Sequence, residues 1–284
     1  MLDQETIDRV VAEALHEDAP TGDITSLLAI TEDATATAVL AAREPGTFSG
    51  ADVFEAAFRL TDSRIKVELL KKDGDRFVPG DQLARVSGPA RGILTAERIG
   101  LNFTQRMSGI ATLTAVYVDA IKGTGATILD TRKTTPNLRA FERHAVVCGG
   151  GTNHRLNLST AFMAKDNHLA VLLAGGKDLT TELQRVKSEL PAGVKFEVEV
   201  DRLDQIEPVI AGGVDIIMLD NFSLEDLKTG VDQVAGRAVV EASGGVNLNT
   251  VRAIAETGVD VISVGALTHS ARALDLGLDV TIDA

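Results

Sequence analysis

The sequence has a single cysteine, Cys148, among its 284 residues. One cysteine excludes an intramolecular disulfide, and such sparing use of cysteine is typical of proteins from a reducing cytoplasm. A chain of this length buries enough surface to be stable without cross-links. The composition therefore predicts a globular protein located in the cytoplasm.

Long hydrophobic runs are also missing. No apolar run approaches the roughly 18 residues of a membrane-spanning helix. Residues 1–11 have neither the basic segment nor the apolar segment of a secretory signal. We therefore expect neither secretion nor insertion into a membrane.

Positive charge is scarce, because 28 Lys and Arg stand against 41 Asp and Glu, for a net charge of −13. A chain this acidic repels nucleic acid and anionic lipid, so we expect no nucleic-acid and no membrane partner. Against that background the basic residues between Arg98 and Lys165 require an explanation.

The first 90 residues combine two helical patterns with short alternating strands, which predicts an α+β module. A long helical pattern follows from Thr95 to Lys122, and Gly109 predicts an interruption within it. We place the domain boundary there, so that residues 1–107 form an N-terminal domain and residues 108–267 a catalytic domain. The tail, residues 268–284, is expected to pack back on the N-terminal domain.

From Ala126 onward, six short apolar runs alternate with amphipathic stretches. Strand–helix alternation predicts an α/β fold with a parallel sheet and right-handed crossovers, either a barrel or an open doubly wound sheet. Six strands are fewer than the eight of a complete barrel.

Polar and glycine residues follow these strands, at the end where parallel α/β proteins bind ligands. Gly244–Gly245 and Gly265–Ala266 follow the last two strands, and their free backbone N–H groups at a strand-to-helix turn would suit a phosphate. Glu199 and Asp220 follow two others, and they could hold Mg²⁺ together with substrate phosphates, in part through water.

Basic residues surround the remaining strand ends: Arg132, Lys133, Arg155 and Lys165. Because arginine matches carboxylates with two parallel hydrogen bonds, the expected guest is a dicarboxylate or a phosphorylated sugar.

The five histidines give no clear signal of their own. His154 is as consistent with acid–base chemistry as with simple hydrogen bonding to nearby loops. His16 and His144 are expected on the surface. No His or Cys pair shows zinc-ligand spacing, so we expect no zinc site.

Three segments together resemble a known family: DTRKTTPNLRAFERHAV, CGGGTNHRLNL and AKDNH. They are similar to the core of nicotinate-nucleotide pyrophosphorylase (carboxylating), also called quinolinate phosphoribosyltransferase, and flanking pieces agree in order over nearly the whole chain. The resemblance implies an N-terminal α/β sandwich and an incomplete parallel α/β barrel of six or seven strands. It also implies transfer of phosphoribosyl from phosphoribosyl pyrophosphate to quinolinate with loss of CO₂, in NAD biosynthesis.

The resemblance further implies a set of functional residues and a homodimer, or a higher oligomer. Arg98 would enter the neighbouring subunit's site, and Lys133, Lys165, Glu199 and Asp220 would be catalytic. Mg²⁺ would accompany phosphoribosyl pyrophosphate. The quinolinate and ribose contacts would come from Arg98, Thr131, Arg132, Lys133, His154, Arg155, Lys165, Glu199 and Asp220, and the phosphate contacts from Ser243, Gly244, Gly245, Gly265, Ala266, Leu267 and His269.

Four residues depart from the family pattern without changing a charged ligand: Asn137 in place of a usual glycine, Thr152, Asn157 and Ala164. Other functions stay open at this point. One is the related phosphoribosyltransferase branch that accompanies molybdate transport. Another is a Schiff-base aldolase with Lys165 as the nucleophile. The third is a non-catalytic protein that binds anions.

Overall fold

The computed structural model describes residues 2–283. Met1 and Ala284, where the predicted N-terminal domain begins and the predicted tail ends, lie outside the described residues. Helices and strands are short apart from one long helix. In chain order they are α1 (Gln4–Asp18), α2 (Ile24–Ala29), β1 (Thr35–Ala42), β2 (Gly46–Thr47), α3 (Ala51–Thr61), β3 (Lys66–Leu69), β4 (Arg76–Phe77), β5 (Gln82–Pro89), α4 (Ala90–Ala120), β6 (Thr127–Leu129), α5 (Arg139–Cys148), β7 (Ala161–Ala164), α6 (Asp166–Leu172), α7 (Leu179–Glu189), β8 (Lys195–Val200), α8 (Ile206–Ala211), β9 (Ile216–Asp220), α9 (Leu224–Val234), β10 (Val239–Ser243), α10 (Val251–Ala255), β11 (Val261–Ser263), α11 (Ala266–His269) and β12 (Leu276–Asp283).

The chain forms two compact units that are not continuous in sequence. The first unit contains the chain up to Ala115, Thr134–Gly150 and the residues from Ser270 onward, and the second contains Val116–Lys133 and Gly151–His269. The boundary predicted between residues 107 and 108 falls inside α4, and it stays a prediction.

The first unit is built on an antiparallel sheet of four strands in the order β12–β1–β5–β3. Strand β12 pairs with β1 over the full length of both, so the C-terminal segment completes this sheet. Helix α1 begins after Asp3, whose carboxylate accepts the N–H of Thr6 at 2.7 Å. The small β2–β4 sheet lies in the same unit.

Helix α4 runs without interruption through Gly109, so the predicted break is wrong. A Cβ atom at this position would lie 1.9 Å from the carbonyl oxygen of Arg272. Glycine is therefore required because the backbone of Arg272 approaches the helix closely, and it marks a packing contact rather than a helix end.

The second unit contains one sheet of six parallel strands in the order β6–β11–β10–β9–β8–β7. Each strand from β7 to β11 lies beside its neighbour in sequence, and β6 pairs with β11 at the edge of the sheet opposite β7. The sequence prediction of an α/β fold with six parallel strands and a separate N-terminal sheet is confirmed. The carboxyl ends of all six strands point to the same edge of the sheet, as parallel pairing requires.

Within residues 2–283, no helix combines the length and the apolar composition needed to cross a membrane.

Candidate active site

A cavity of about 580 Å³ lies at the carboxyl ends of the parallel strands, within the second unit. Most of the site residues that the sequence singled out line it, and four residues that it did not single out join them. The predicted residues at the cavity are Thr131, Arg132, Lys133, His154, Arg155, Lys165, Glu199, Asp220, Ser243, Gly244 and Gly245, and the additional ones are Met163, Met218, Asn221 and Ser263.

Four cationic side chains line this cavity in a chain of net charge −13. Burial and the neighbouring charge of Arg132 both lower the pKa of Arg155. Arg155 is also held in place, because its guanidinium donates to the carbonyl oxygen of Ala161 at 3.2 Å. The positive charges of Arg132 and Arg155 repel each other, so a bound anion would relieve this repulsion.

Two carboxylates also line the cavity, and each already has a polar partner. Glu199 forms an ion pair with Lys165. Asp220 accepts hydrogen bonds from Ser243 Oγ at 2.6 Å and from Asn221 Nδ2 at 2.7 Å. Asp220 and Ser243 are Cα partners across β9 and β10, which explains why their side chains meet.

Gly244 lies in a turn that only glycine fits. Its φ is +90°, and a Cβ atom there would lie 2.2 Å from Asn221 Oδ1. Asn221 itself has a φ of +58°, and its backbone N–H donates to the carbonyl oxygen of Ser243 at 2.9 Å. The turns after β9 and β10 therefore interlock, and they bring backbone groups to the cavity wall.

The remaining predicted phosphate residues lie beside the cavity rather than on its lining. Gly265 is close to Lys133 and to His269, since a Cβ atom on Gly265 would meet Lys133 Cδ at 3.2 Å and His269 Nε2 at 3.1 Å. Ala266 and Leu267 begin α11. After Gly244–Gly245, in contrast, the chain continues as a loop to Val251, so this glycine pair does not begin a helix as expected.

Arg98 is not among the residues that line the cavity. It is an exposed residue of α4 and belongs to the first unit.

His154 is held by its own loop and by a buried aspartate. The loop runs beside β6, where Thr152 bridges to Leu129. The backbone N–H of His154 donates to Asp130 Oδ1 at 2.7 Å, and the N–H of Arg155 donates to His154 Nδ1 at 2.6 Å. These bonds fix both the backbone and the ring.

Two almost fully buried glutamates lie below the ring of His154. Its Nε2 atom is 3.4 Å from Glu197 Oε2 and 3.3 Å from Glu241 Oε2. Ser263 Oγ donates to Glu241 Oε1, whereas Glu241 Oε2 and Glu197 Oε1 have no hydrogen-bond partner. Two ionised carboxylates this close and this buried would repel strongly, so the cluster must hold an extra proton.

That proton has two possible positions. Burial disfavours a charged ring, but two ionised glutamates would outweigh it and raise the pKa of His154 to about 10, an effect that weakens once one glutamate is protonated. Burial also raises the pKa of Glu197. Since Nδ1 accepts the N–H of Arg155 and so carries no hydrogen, the neutral ring with a protonated Glu197 fits the geometry.

Sequence reasoning missed Glu197 and Glu241, although a signal was present. Glu197 and Glu199 are two residues apart on β8, so both point to the same face of the sheet. Glu241 and Ser243 have the same relation on β10. A glutamate that shares the face of a predicted site residue was therefore recognisable as a buried partner.

Two family models match most of the chain. The description "Quinolinate phosphoribosyl transferase, N-terminal domain" matches residues 23–108, and "Quinolinate phosphoribosyl transferase, C-terminal domain" matches residues 110–279.

Known proteins resemble the chain over almost its full length. It is 42% identical to "Nicotinate-nucleotide pyrophosphorylase [carboxylating]" of Mycobacterium leprae, covering 95% of both chains. A probable enzyme of the same name from Bacillus subtilis is 40% identical, over 94% of this chain and 90% of the relative. The crystal structure of NadC from Streptococcus pyogenes superposes with a TM-score of 0.94 at 39% identity, covering 100% of this chain and 99% of that one.

Proposed function

The chain belongs to the quinolinate phosphoribosyltransferase family, and from that premise we propose how its cavity performs the family's reaction. The enzyme transfers phosphoribosyl from phosphoribosyl pyrophosphate to the ring nitrogen of quinolinate. The products are nicotinate mononucleotide, pyrophosphate and CO₂, and the reaction belongs to NAD biosynthesis.

The four cationic side chains that line the cavity bind the two carboxylates of quinolinate. Arg132 and Arg155 supply planar donors for them, with Lys133, Lys165, Thr131 and His154 completing the pocket. The convergence of four cationic side chains on one cavity, in a chain of net charge −13, is the observation that carries this assignment. Holding the ring nitrogen in line with the anomeric carbon supplies a large part of the catalysis.

Glu199 and Asp220 face the ribose. As pyrophosphate leaves, positive charge builds on the sugar, and the negative charges of Glu199 and Asp220 stabilise it. The backbone of Ser243, Gly244 and Gly245 binds the 5′-phosphate, with Gly265, Ala266, Leu267 and His269 beside it. The fixed positive-φ turns at Gly244 and Gly245 support this role, since they hold the backbone rigid before the ligand arrives.

Glu199 and Asp220 also fit a Mg²⁺ ion bound together with substrate phosphates. Both offer carboxylate oxygens, the ligand type that Mg²⁺ prefers, and Ser243 already orients Asp220. When bound, Mg²⁺ would offset negative charge on the pyrophosphate leaving group. Loss of CO₂ breaks the bond between the ring carbon and the carboxylate and leaves an electron pair on that carbon. The cationic Lys133 and Lys165 stabilise this electron pair until the carbon takes up a proton from the solvent.

The site is completed by a second subunit in this proposal. Arg98 is exposed on α4 and does not line the cavity of its own chain, which is consistent with a role in the partner's site of a homodimer or higher oligomer. Location in the cytoplasm is also proposed, and the single half-buried Cys148 supports it because it forms no disulfide.

The aldolase alternative finds no support in the geometry of Lys165. A Schiff-base lysine must lose its proton to attack a carbonyl. Here Lys165 Nζ is held in an ion pair with Glu199, and the segment that contains it matches a phosphoribosyl transferase family model.

One assay tests the proposed reaction directly. The protein is incubated with quinolinate, phosphoribosyl pyrophosphate and Mg²⁺, and CO₂ and nicotinate mononucleotide are measured. We expect equal amounts of the two products, and none when nicotinate replaces quinolinate. Turnover of nicotinate at the same rate would contradict a pocket built for two carboxylates.

A further inference from the structure

A second cluster of chemically active side chains lies in the first unit. The cluster consists of Asp73, His144 and Cys148. Each offers one potential metal-ligand atom, and these three atoms lie within 4.8 Å of one another. His144 Nε2 is 2.5 Å from Asp73 Oδ2. All three residues belong to the same compact unit, and none lines the active-site cavity.

Helix geometry and hydrogen bonds hold the three ligands in place. His144 and Cys148 are four residues apart on α5, so their side chains lie on the same face of that helix. The other oxygen of Asp73 accepts the backbone N–H groups of Gly50 and Ala51, at 2.9 and 3.0 Å, where α3 begins. One oxygen of Asp73 is thus anchored while the second faces His144.

The sulfur of Cys148 is positioned as well. Ser49 Oγ lies 3.3 Å from Cys148 Sγ, and Ser49 is fully buried. Hydrogen bonds that orient a ligand from behind are a regular feature of metal sites. The cluster therefore has its ligands and the groups that orient them.

We propose that Asp73, His144 and Cys148 bind one zinc ion, at a site separate from the reaction. Thiolate, imidazole and carboxylate are the ligands that zinc uses in proteins, and three protein ligands with a fourth position for water form a complete tetrahedral site. The thiol of Cys148 loses its proton to the solvent as the sulfur–zinc bond forms, and no electron is transferred. The ring of His144 also releases a proton, because its hydrogen bonds with Asp73 and Cys148 raise its pKa to about 10 in the absence of the ion.

The size and charge of the cluster suit this ion. Zinc–ligand bonds of about 2.0–2.3 Å require tetrahedral ligands to lie roughly 3.3–3.7 Å apart, so a shift of about 1 Å between His144 and Asp73 opens the site. One carboxylate and one thiolate neutralise the two positive charges of zinc. The side chains of His144 and Asp73 are 28% and 24% exposed, which leaves access for the ion and for a water ligand.

This proposal departs from the expectation that no His or Cys pair has zinc-ligand spacing. The pair His144 and Cys148 has the helical spacing of four residues, but Asp73 lies 71 residues away from His144 in sequence. Without the fold, the third ligand was not recognisable. A bound zinc ion would join α5 to the turn before β4 and to the start of α3.

The proposal is tested with cobalt as a spectroscopic substitute for zinc. The full chain, purified with a chelator and then freed of it, is titrated with Co²⁺ and afterwards with Zn²⁺. We expect thiolate-to-cobalt absorption in the near ultraviolet and tetrahedral bands in the visible, both saturating at one equivalent and both lost on addition of Zn²⁺. Absence of the thiolate absorption would overturn the proposal.

Variants assign the site to these residues. Cys148→Ser and His144→Ala should each weaken zinc binding about tenfold or more. Asp73→Asn should also weaken it, while its amide oxygen can still accept the N–H groups of Gly50 and Ala51. The matched control is His16→Ala, an exposed histidine on α1.

A second control addresses the other cluster that could hold a metal, formed by His154, Glu197 and Glu241. Glu197→Gln and His16→Ala should leave the zinc affinity unchanged. If the affinity falls with Glu197→Gln and not with Cys148→Ser, zinc binds at that other cluster and the proposal is wrong.

Discussion

At the residue scale, Glu197 and Glu241 both lie beside the ring of His154 but differ in their surroundings. Burial raises the pKa of Glu197, and its Oε1 atom has no hydrogen-bond partner, whereas Glu241 Oε1 accepts a hydrogen bond from Ser263 Oγ. We therefore predict that Glu197→Gln, which resembles the protonated acid, keeps kcat/KM for quinolinate within about threefold. Glu241→Gln should lower kcat/KM by about tenfold or more, because Ser263 and His154 lose the carboxyl group that they contact.

Steady-state kinetics with both variants checks this difference, and circular dichroism confirms that both remain folded. Nitrogen NMR of the His154 ring supplies an independent readout, since it reports which ring nitrogen carries hydrogen. We expect hydrogen on Nε2 and none on Nδ1 at neutral pH. Equal losses of activity in the two variants would show that the proton is not localised on Glu197.

Single residues also show how far sequence alone reaches. The side chains at the strand ends were predictable, because parallel strands bring their carboxyl ends together. Asn137, which replaces a usual family glycine, adopts a φ of +66°. That value explains the glycine preference and the tolerance for asparagine. The ion pair of His144 with Asp73 was not predictable, since it joins residues that are distant in sequence.

At the element scale, α4 depends on the absence of a side chain at Gly109. A methyl group there would overlap the carbonyl oxygen of Arg272. We predict that Gly109→Ala lowers the free energy of unfolding by about 2 kcal/mol, although alanine is the better helix former. Gly125→Ala is the matched control, because a Cβ atom there meets nothing within 4 Å. Urea unfolding of both variants tests this, and a stabilised Gly109→Ala would show that the backbone of Arg272 yields easily.

The segment that leads into β12 is fastened by an ion pair between Glu44 and Arg272. Glu44 also accepts the backbone N–H of Asp275 at 2.7 Å. The hydrogen bond from Arg272 is the main reason that the pKa of Glu44 falls from 4.5 to about 2. A carboxyl group with a lowered pKa stabilises the fold fully above pH 4.5, and this contribution disappears as the pH falls towards 2.

We predict that Glu44→Gln lowers the free energy of unfolding by about 1 kcal/mol at pH 7, the size expected of a well-formed surface pair. The difference from the unmodified protein should shrink as the pH falls from 4.5 towards 2. Urea unfolding at several pH values measures it. A difference that stays constant over this range would mean that the hydrogen bonds, and not the charge of Glu44, provide the stabilisation.

Elements with a clear periodicity were predictable, and contacts between elements were not. The apolar spacing of Ile7, Val10 and Val11 predicted α1, and all three side chains are buried. Gly109 was read as a break because glycine is a poor helix former, and only the fold shows what packs against it. Likewise, nothing in the pattern of β12 reveals that it pairs with β1.

At the scale of the whole molecule, the proposed exchange of Arg98 between subunits makes a specific prediction. Arg98→Ala and Arg132→Ala should each be nearly inactive alone. In a mixed dimer, one site would contain both defects and the other would contain neither. Random mixing should therefore restore activity to about one quarter of the unmodified level, because half of the dimers are mixed and each has one intact site.

Unfolding and refolding the two variants together, with each variant refolded alone as the control, measures this restoration. No gain on mixing would place Arg98 outside the neighbouring site. Size-exclusion chromatography with light scattering on the same samples reports whether dimers have formed.

The class of fold followed from the alternation of strands and helices, and the reaction from the motifs around Arg132, Arg155 and Lys165. The structure adds that the first unit includes Thr134–Gly150 and the C-terminal strand. Packing of residues 268–284 on the N-terminal domain was expected from the sequence, whereas no local pattern indicates that Thr134–Gly150 joins the first unit.

The proposed function depends most on the binding of the carboxylates of quinolinate by the four cationic side chains of the cavity. The most direct test is kcat/KM for quinolinate in Arg132→Ala at saturating phosphoribosyl pyrophosphate, with circular dichroism to confirm the fold. We predict a loss of about 10²–10³, the range found when a charge-stabilising donor is removed from an active site. An unchanged kcat/KM in a folded variant would contradict the claim.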